Sequence, residues 1–503
     1  MPTFTAPDGT RLAYRTAGIG EPLICVPGGA MRASAYLGDL GGLGAHRQLV
    51  FLDLRGTGAS DTPADPGTYR CDRQVGDIEA LREHLGLDRV DLLAHSAGSN
   101  LALLYAAAHP ARVRQLALIT PTLWAVDIPV TPEQRREAAR LRSGEPWFDE
   151  AWPVFEARLR GEEAEGPFEA FFYGRWDTRA QAHAADSPVQ INREAALWYG
   201  SEGAFDPAAT RGALAALDAD VLVLSGELDG GPRPQVAGEL EKVLPGAQFD
   251  VQSGAGHFPW LDDPGAFRRT VAAFFDPSVH SARTARGRLA HTVSGPETAP
   301  PVILVHGRGA DRRDWTDIAA ELAADHRVYA LDLTGHGLSD WPGTYSFAGF
   351  RDDLRAFIED RGLAGASVIG HSMGGAAAWL LAQERPELIG RLVIEEAPAM
   401  VPLEPRRGPA QRPDGALDFD WPVVPDTDRD LNDPDPAWRA RYARITVPTL
   451  VIAGGAKSHV PQEQIAAMAA ALPDARLVTI EAGHLVHEEN PRAFLAAVRE
   501  FGV

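Results

Sequence analysis

Lysine is nearly absent from this sequence: Lys242 and Lys457 are the only two, and the remaining basic side chains are arginines. Acidic residues outnumber basic ones by 69 to 48, giving a formal net charge of −21. Such a balance repels phosphate backbones and anionic lipid, so neither nucleic acid nor a membrane surface is expected as a partner. Cysteine is as scarce. Cys25 and Cys71 cannot build a disulfide framework, and Cys25 lies in the apolar run Leu23-Ile24-Cys25-Val26, where a buried core thiol is expected. No run of about 18 apolar residues occurs, and the N-terminus lacks the basic head and apolar core of a secretion signal, so a cytoplasmic protein is expected. The histidines occur singly, without spacing such as His-Glu-x-x-His, so neither metal nor cofactor is expected.

What is present is length and internal repetition. At 503 residues the chain exceeds the roughly 250 to 300 residues at which a single core stops growing. Its 45% hydrophobic and 23% charged residues are those of an ordinary globular protein. Four segments recur in order. Leu23-Ile24-Cys25-Val26-Pro27-Gly28-Gly29 is answered by Val302-Ile303-Leu304-Val305-His306-Gly307-Arg308, and Leu52-Asp53-Leu54-Arg55-Gly56-Thr57-Gly58 by Leu331-Asp332-Leu333-Thr334-Gly335-His336-Gly337. Ala94-His95-Ser96-Ala97-Gly98 is answered by Gly370-His371-Ser372-Met373-Gly374, and Ala255-Gly256-His257 by Ala482-Gly483-His484. A period this long means duplicated domains, since solenoid repeats run at about 20 to 50 residues. The seam is placed at Asp276-Pro277, with a short linker rich in Ser, Arg and His, giving domains 1–276 and 277–503.

Within each half, short β-branched runs alternate with longer amphipathic stretches, the pattern of a mostly parallel sheet flanked by helices, an α/β fold. Ser96 stands between an apolar strand and the helical run Leu101-Ala102-Leu103-Leu104-Tyr105-Ala106. A serine on such a turn is held at strained backbone angles, needs small residues two positions away on either side, and has free N–H groups of the following helix beside it.

These motifs resemble those of the α/β-hydrolase superfamily, over essentially the whole chain twice. The resemblance implies the order nucleophile, acid, histidine. In the first half it assigns Ser96 as nucleophile, Asp229 as acid after the strand Val221-Leu222-Val223-Leu224, and His257 as base, with the N–H groups of Gly29 and Ala97 as oxyanion donors. In the second half it assigns Ser372 and His484, with Arg308 and Met373 as oxyanion donors, while His487 is expected to be a neighbour with its own partner. There the acid departs from the pattern. Lys457 occupies the position of Asp229, and a lysine cannot orient an imidazolium. Some family members, certain haloalkane dehalogenases among them, take their acid from the end of the preceding strand. That strand here runs into Glu395-Glu396, where the first half has Ile119-Thr120. Glu396 is the expected substitute, ahead of Glu395; a second half without catalysis is the alternative.

Between the last two motifs the halves differ. The first has a long insertion, about 121–212, dense in aromatics and expected to be a helical lid; the second has a short one, about 397–445, rich in Pro, Asp and Arg. Packing of the lid's own core is expected to use most of those aromatics. The expected activity is hydrolysis of an ester, lactone, thioester or amide of a small, mainly apolar substrate through an acyl-enzyme. The Asp53-Leu54-Arg55-Gly56 loop is similar to that of prolyl iminopeptidases, though Pro27-Gly28-Gly29-Ala30-Met31 departs from their oxyanion loop. An aminopeptidase, a cofactor-free lyase or dioxygenase, and a binding role for the second half stay open, as does contact between the domains.

Overall fold

The computed structural model describes residues 1–413 and 417–503. Part of the short second insertion, residues 414–416, lies outside the described residues. The chain divides into two compact units, Met1–Phe275 and Asp276–Val503.

In the first unit the strands are β1 (Thr3–Thr5), β2 (Arg11–Ala17), β3 (Pro22–Val26), β4 (Gln48–Leu52), β5 (Val90–His95), β6 (Val113–Ile119), β7 (Asp220–Gly226) and β8 (Gln248–Gln252). Their order in the sheet is β1-β2-β4-β3-β5-β6-β7-β8. β1 and β2 pair antiparallel, as do β2 and β4; β3, β4, β5, β6, β7 and β8 run parallel. The central strand β5 is buried at every position, as a strand covered by helices on both faces must be.

In the second unit the strands are β9 (Val279–Thr284), β10 (Gly287–Ser294), β11 (Pro301–Val305), β12 (Arg327–Leu331), β13 (Ala366–His371), β14 (Ile389–Glu395), β15 (Thr449–Ala453) and β16 (Ala475–Thr479). Read from the other edge, their order is β9-β10-β12-β11-β13-β14-β15-β16, the same topology. Duplication is thus visible in strand order as well as in motif. One expectation is corrected: the stretch read as a linker is largely β9, paired antiparallel with β10 from Val279 to Thr284. Its Ser, Arg and His side chains suit an edge strand with exposed positions, and a tight turn held by Arg286 N–H to Thr284 Oγ1 joins it to β10.

Helices flank both sheets. The one that follows β5, Gly98–Ala108, is apolar almost all round and buried, as a helix packed into the core must be. In the second unit Phe347–Arg361 begins where Ser346 accepts the Gly349 N–H and ends at Gly362, whose φ of 64° few other residues tolerate. Between β6 and β7 a set of helices from Pro132–Arg140 to Pro207–Leu214 forms the cap of the first unit. Phe155 and Phe171 lie at its centre, with Trp147, Phe148, Trp152 and Phe168 packed around them, so these six aromatics build the lid itself, while Tyr199 packs into the main core. Among the described residues the second unit has only Val423–Asn432, Pro436–Ala440 and a short turn in the same place. Among the described residues no helix is long and apolar enough to cross a membrane.

Candidate active site

In each unit the elbow serine lies at the carboxyl end of the central strand. Ser96 follows β5 directly and has φ 52°; Ser372 follows β13 with φ 49°. Non-glycine residues adopt such angles at a cost of about 1–3 kcal/mol, and the surrounding packing holds them there. Ser96 N–H donates to Ile119 O at 3.0 Å. A Cβ at Gly98 would meet Pro27 O at 2.4 Å, which is why a glycine stands two residues after the serine.

The first unit brings its three predicted residues into one chain of hydrogen bonds. Ser96 Oγ and His257 Nε2 are 2.9 Å apart, and His257 Nδ1 and Asp229 Oδ2 are also 2.9 Å apart. Asp229 is fully buried and its other oxygen accepts the Gly231 N–H at 2.9 Å. The backbone of His257 is anchored on both sides: its N–H donates to Phe172 O in the cap, and its carbonyl accepts from His95 Nε2 and Thr120 Oγ1, both at 2.9 Å. Burial, with His257 alongside, pushes His95 well below the usual histidine range, so its ring is neutral. Its Nδ1 meets Tyr36 Oη at 2.6 Å, and that hydroxyl also accepts the Gly28 N–H at 2.7 Å. Tyr36 therefore ties the loop carrying Gly29 to the elbow. Gly29 has φ 69°, and Ala97 precedes the helix Gly98–Ala108, so both expected oxyanion donors lie in the segments flanking Ser96.

The second unit assembles a variant of this arrangement. Glu396 is fully buried at the end of β14, and its Oε2 lies 3.3 Å from His484 Nδ1. Its carboxylate also accepts from Gly454 N–H, at 2.5 Å, Gln462 Nε2, at 3.1 Å, and the Ser458 hydroxyl. Burial works to raise the Glu396 carboxyl, but His484, Ser458 and Gly454 bring it below its ordinary value. The backbone needed for this was already present in the first unit. Thr120, with φ 41°, donates its N–H to Leu224 O, and Glu396, with φ 51°, donates its own to Ile452 O. Lys457, at the position of Asp229, is exposed.

Glu395 is engaged elsewhere: it accepts the His487 N–H at 2.9 Å and pairs with His487 Nδ1 at 2.8 Å, both residues being buried. His487 in turn stacks on Trp315 with ring centroids 4.1 Å apart. His371 Nε2 bonds the His484 carbonyl at 2.9 Å, as His95 does for His257. Among the described residues Ser372 and His484 form no hydrogen bond with each other, although His484 bonds Glu396. Both line a cavity of about 290 Å³ together with Glu396, Arg308 and Met373. Catalytic hydrogen bonds are often long in unliganded sites and tighten around substrate. Among the described residues, Asp314, His487 and Glu488 are the one group of histidine and acidic side chains close enough together to hold a metal ion, and the group includes none of Ser372, Glu396 and His484.

Several residues of these sites were not singled out from sequence: Tyr36, Ser458 and Gln462 by their hydrogen bonds, and His459, whose ring lies 4.2 Å from that of His484. The polar run Ser458-His459 directly after Lys457 was the available signal for two of them. Asp53, in the loop similar to that of iminopeptidases, is spent on structure, accepting the Ser34 and Ala59 N–H groups, and Arg55 is paired with Asp77.

Comparison with known proteins agrees with the duplicated fold. A family model described as the alpha/beta hydrolase fold matches residues 21–264, and one described as the alpha/beta hydrolase family matches residues 302–498. An uncharacterized protein of Mycobacterium tuberculosis is 34% identical over 123 residues, 24% of this chain and 36% of that protein. The chain thus spans about a third of the length of that curated relative. The sn-1-specific diacylglycerol lipase of Mus musculus is 24% identical over 254 residues, 42% of this chain and 83% of the lipase. Among solved structures, a hydrolase from Pseudomonas aeruginosa is 26% identical, with a TM-score of 0.40, covering 45% of this chain and 99% of its own. With both halves matched, the chain belongs to the α/β-hydrolase family, as two domains in tandem.

Proposed function

We infer that the chain is a double serine hydrolase, with Ser96 and Ser372 as nucleophiles acting on ester-like bonds of small, mainly apolar molecules. The observation that carries this reading is the continuous relay from Ser96 Oγ through His257 to the buried Asp229, each link 2.9 Å long. In this mechanism Ser96 Oγ adds to an acyl carbon while His257 Nε2 takes its proton. The oxyanion is stabilised by the N–H groups of Gly29 and Ala97. The same imidazole then gives the proton to the leaving alcohol, and water cleaves the acyl-enzyme by the reverse sequence. Asp229 fixes the imidazole tautomer and stabilises its charge. In the second unit Ser372, His484 and Glu396 take the corresponding roles, with Arg308 and Met373 supplying the N–H groups.

Glu396 supports activity there because its carboxylate faces His484 Nδ1 from a buried position, whereas Lys457 points to solvent-exposed surface. A rapid-mixing experiment with a p-nitrophenyl ester tests the reading. A burst of nitrophenol before steady state is expected, lost in part in Ser96→Ala and wholly in the double Ser96→Ala/Ser372→Ala variant. Full hydrolysis by the double variant would refute it.

A further inference from the structure

The cavity onto which Ser372 opens is lined largely by apolar side chains, among them Met400, Val401, Leu403 and Leu431. Two guanidiniums interrupt that lining. Arg308 and Arg407 both donate to a single oxygen, Oδ1 of Asp428, at 2.7 and 2.6 Å. Among the described residues the Arg308 side chain has one further partner, Thr427 Oγ1 at 3.1 Å. A guanidinium carries five N–H donors, and among the described residues the Arg407 side chain bonds only Asp428.

Within this cluster two positive charges on one carboxylate leave one in excess, with donors unspent; the other carboxylate of the cavity wall, Glu396, is taken up by His484, Ser458, Gly454 and Gln462. Burial pushes the Asp428 carboxyl up, and the two guanidiniums bring it below its ordinary value, so it stays ionised and supplies only a single negative charge. His459 does not compensate: burial, His484 and both arginines hold it below the usual histidine range, leaving it neutral. If the pair served only to fasten the cap, one arginine on one aspartate would do so without an uncompensated charge.

We propose that the Ser372 cavity takes substrates that carry a carboxylate, held by the unspent N–H groups of Arg308 and Arg407, with an apolar segment between that anion and the bond cleaved. One surplus charge matches one carboxylate, whereas a phosphate monoester brings close to two negative charges. Planar guanidinium forks also suit the carboxylate geometry. This substrate class rests on the reading of Ser372 as nucleophile, but the anion site can be tested apart from it.

The binding test uses the full chain carrying Ser96→Ala and Ser372→Ala, titrated calorimetrically with the monoanilides of succinic, glutaric and adipic acids and with neutral anilides of matched length. At least one acid should bind about tenfold more tightly than its neutral counterpart, as a charge-assisted bond implies. Arg407→Gln should remove that preference while changing neutral binding less than about twofold, and Arg407→Lys should restore part of it. Equal binding of acid and neutral anilides, or a preference that survives Arg407→Gln, overturns the proposal. Turnover of the matching p-nitrophenyl monoesters by the Ser96→Ala enzyme is read separately. Arg407-dependent binding without turnover supports the anion site and counts against Ser372 as nucleophile; turnover of acidic and neutral esters at equal kcat/KM counts against the anion site.

Discussion

Replacing Glu396 by Gln removes the charge opposite His484 while keeping an oxygen for the Gly454 N–H, so the side chain changes function with little change of shape. The expected loss can be scaled from the first unit. There, Asp229 and His257 are 2.9 Å apart, and the amide in place of the acid in such a triad costs about 10⁴ in kcat, or about 5 kcal/mol. In the second unit the corresponding contact is 3.3 Å, and the carboxylate divides its charge among Gly454, Ser458, Gln462 and His484. A weaker hold on the imidazole makes the expected loss smaller, about 10²- to 10³-fold, or about 3–4 kcal/mol. The assay is ester hydrolysis in the Ser96→Ala background, where only Ser372 turns over, together with its phosphonylation rate. Activity of Glu396→Gln within about threefold of its parent would refute the assignment. A stricter form adds Lys457→Asp to Glu396→Gln. The loops match closely: a Cβ on Gly226 would meet Gly256 O at 2.1 Å, and one on Gly454 would meet Gly483 O at 1.9 Å. An aspartate at position 457 should therefore recover at least about tenfold.

Further outcomes are expected. Tyr36→Phe leaves the buried Gly28 N–H without its acceptor and His95 Nδ1 without its partner, so it should destabilise the first unit by about 1–3 kcal/mol and slow Ser96 labelling; differential scanning calorimetry reads the first effect, and an unchanged transition contradicts it. Glu79, bonded to Arg82 and Tyr105, has its carboxyl lowered from 4.5 to about 2, by Arg82 first and by Tyr105. A depressed folded-state value contributes stability that is fully present above about pH 4.5 and is lost as pH falls toward 2. With solvent screening of this partly exposed pair the contribution is about 1 kcal/mol, so Glu79→Gln should lower stability at pH 7 by that amount and flatten the acid limb below pH 4.5.

Four recurring motifs carried the duplication, because a motif that places a nucleophile or packs a glycine against a neighbouring strand leaves little freedom of residue type. Strands of the sheet interior were legible for the same reason: β3 and β11, for example, are continuous apolar runs. β9 was not, since an edge strand with polar exposed positions has the composition of a linker. The displaced acid was legible only through a comparison of halves, Lys457 against Asp229 and Glu396 against Thr120. Tyr36 and the Arg308–Asp428–Arg407 cluster were not legible, because their partners lie far away in sequence and surface-type residues carry no period that marks them.

The central claim, two competent nucleophiles in one chain, is tested most directly by treating the intact protein with a fluorophosphonate probe, weighing it, and mapping the adducts by peptide mass spectrometry. Two adducts, on Ser96 and Ser372, each lost in the corresponding alanine variant, are the predicted result. A single adduct on Ser96 would contradict the account of the second unit, and no adduct on either serine would contradict the account of both.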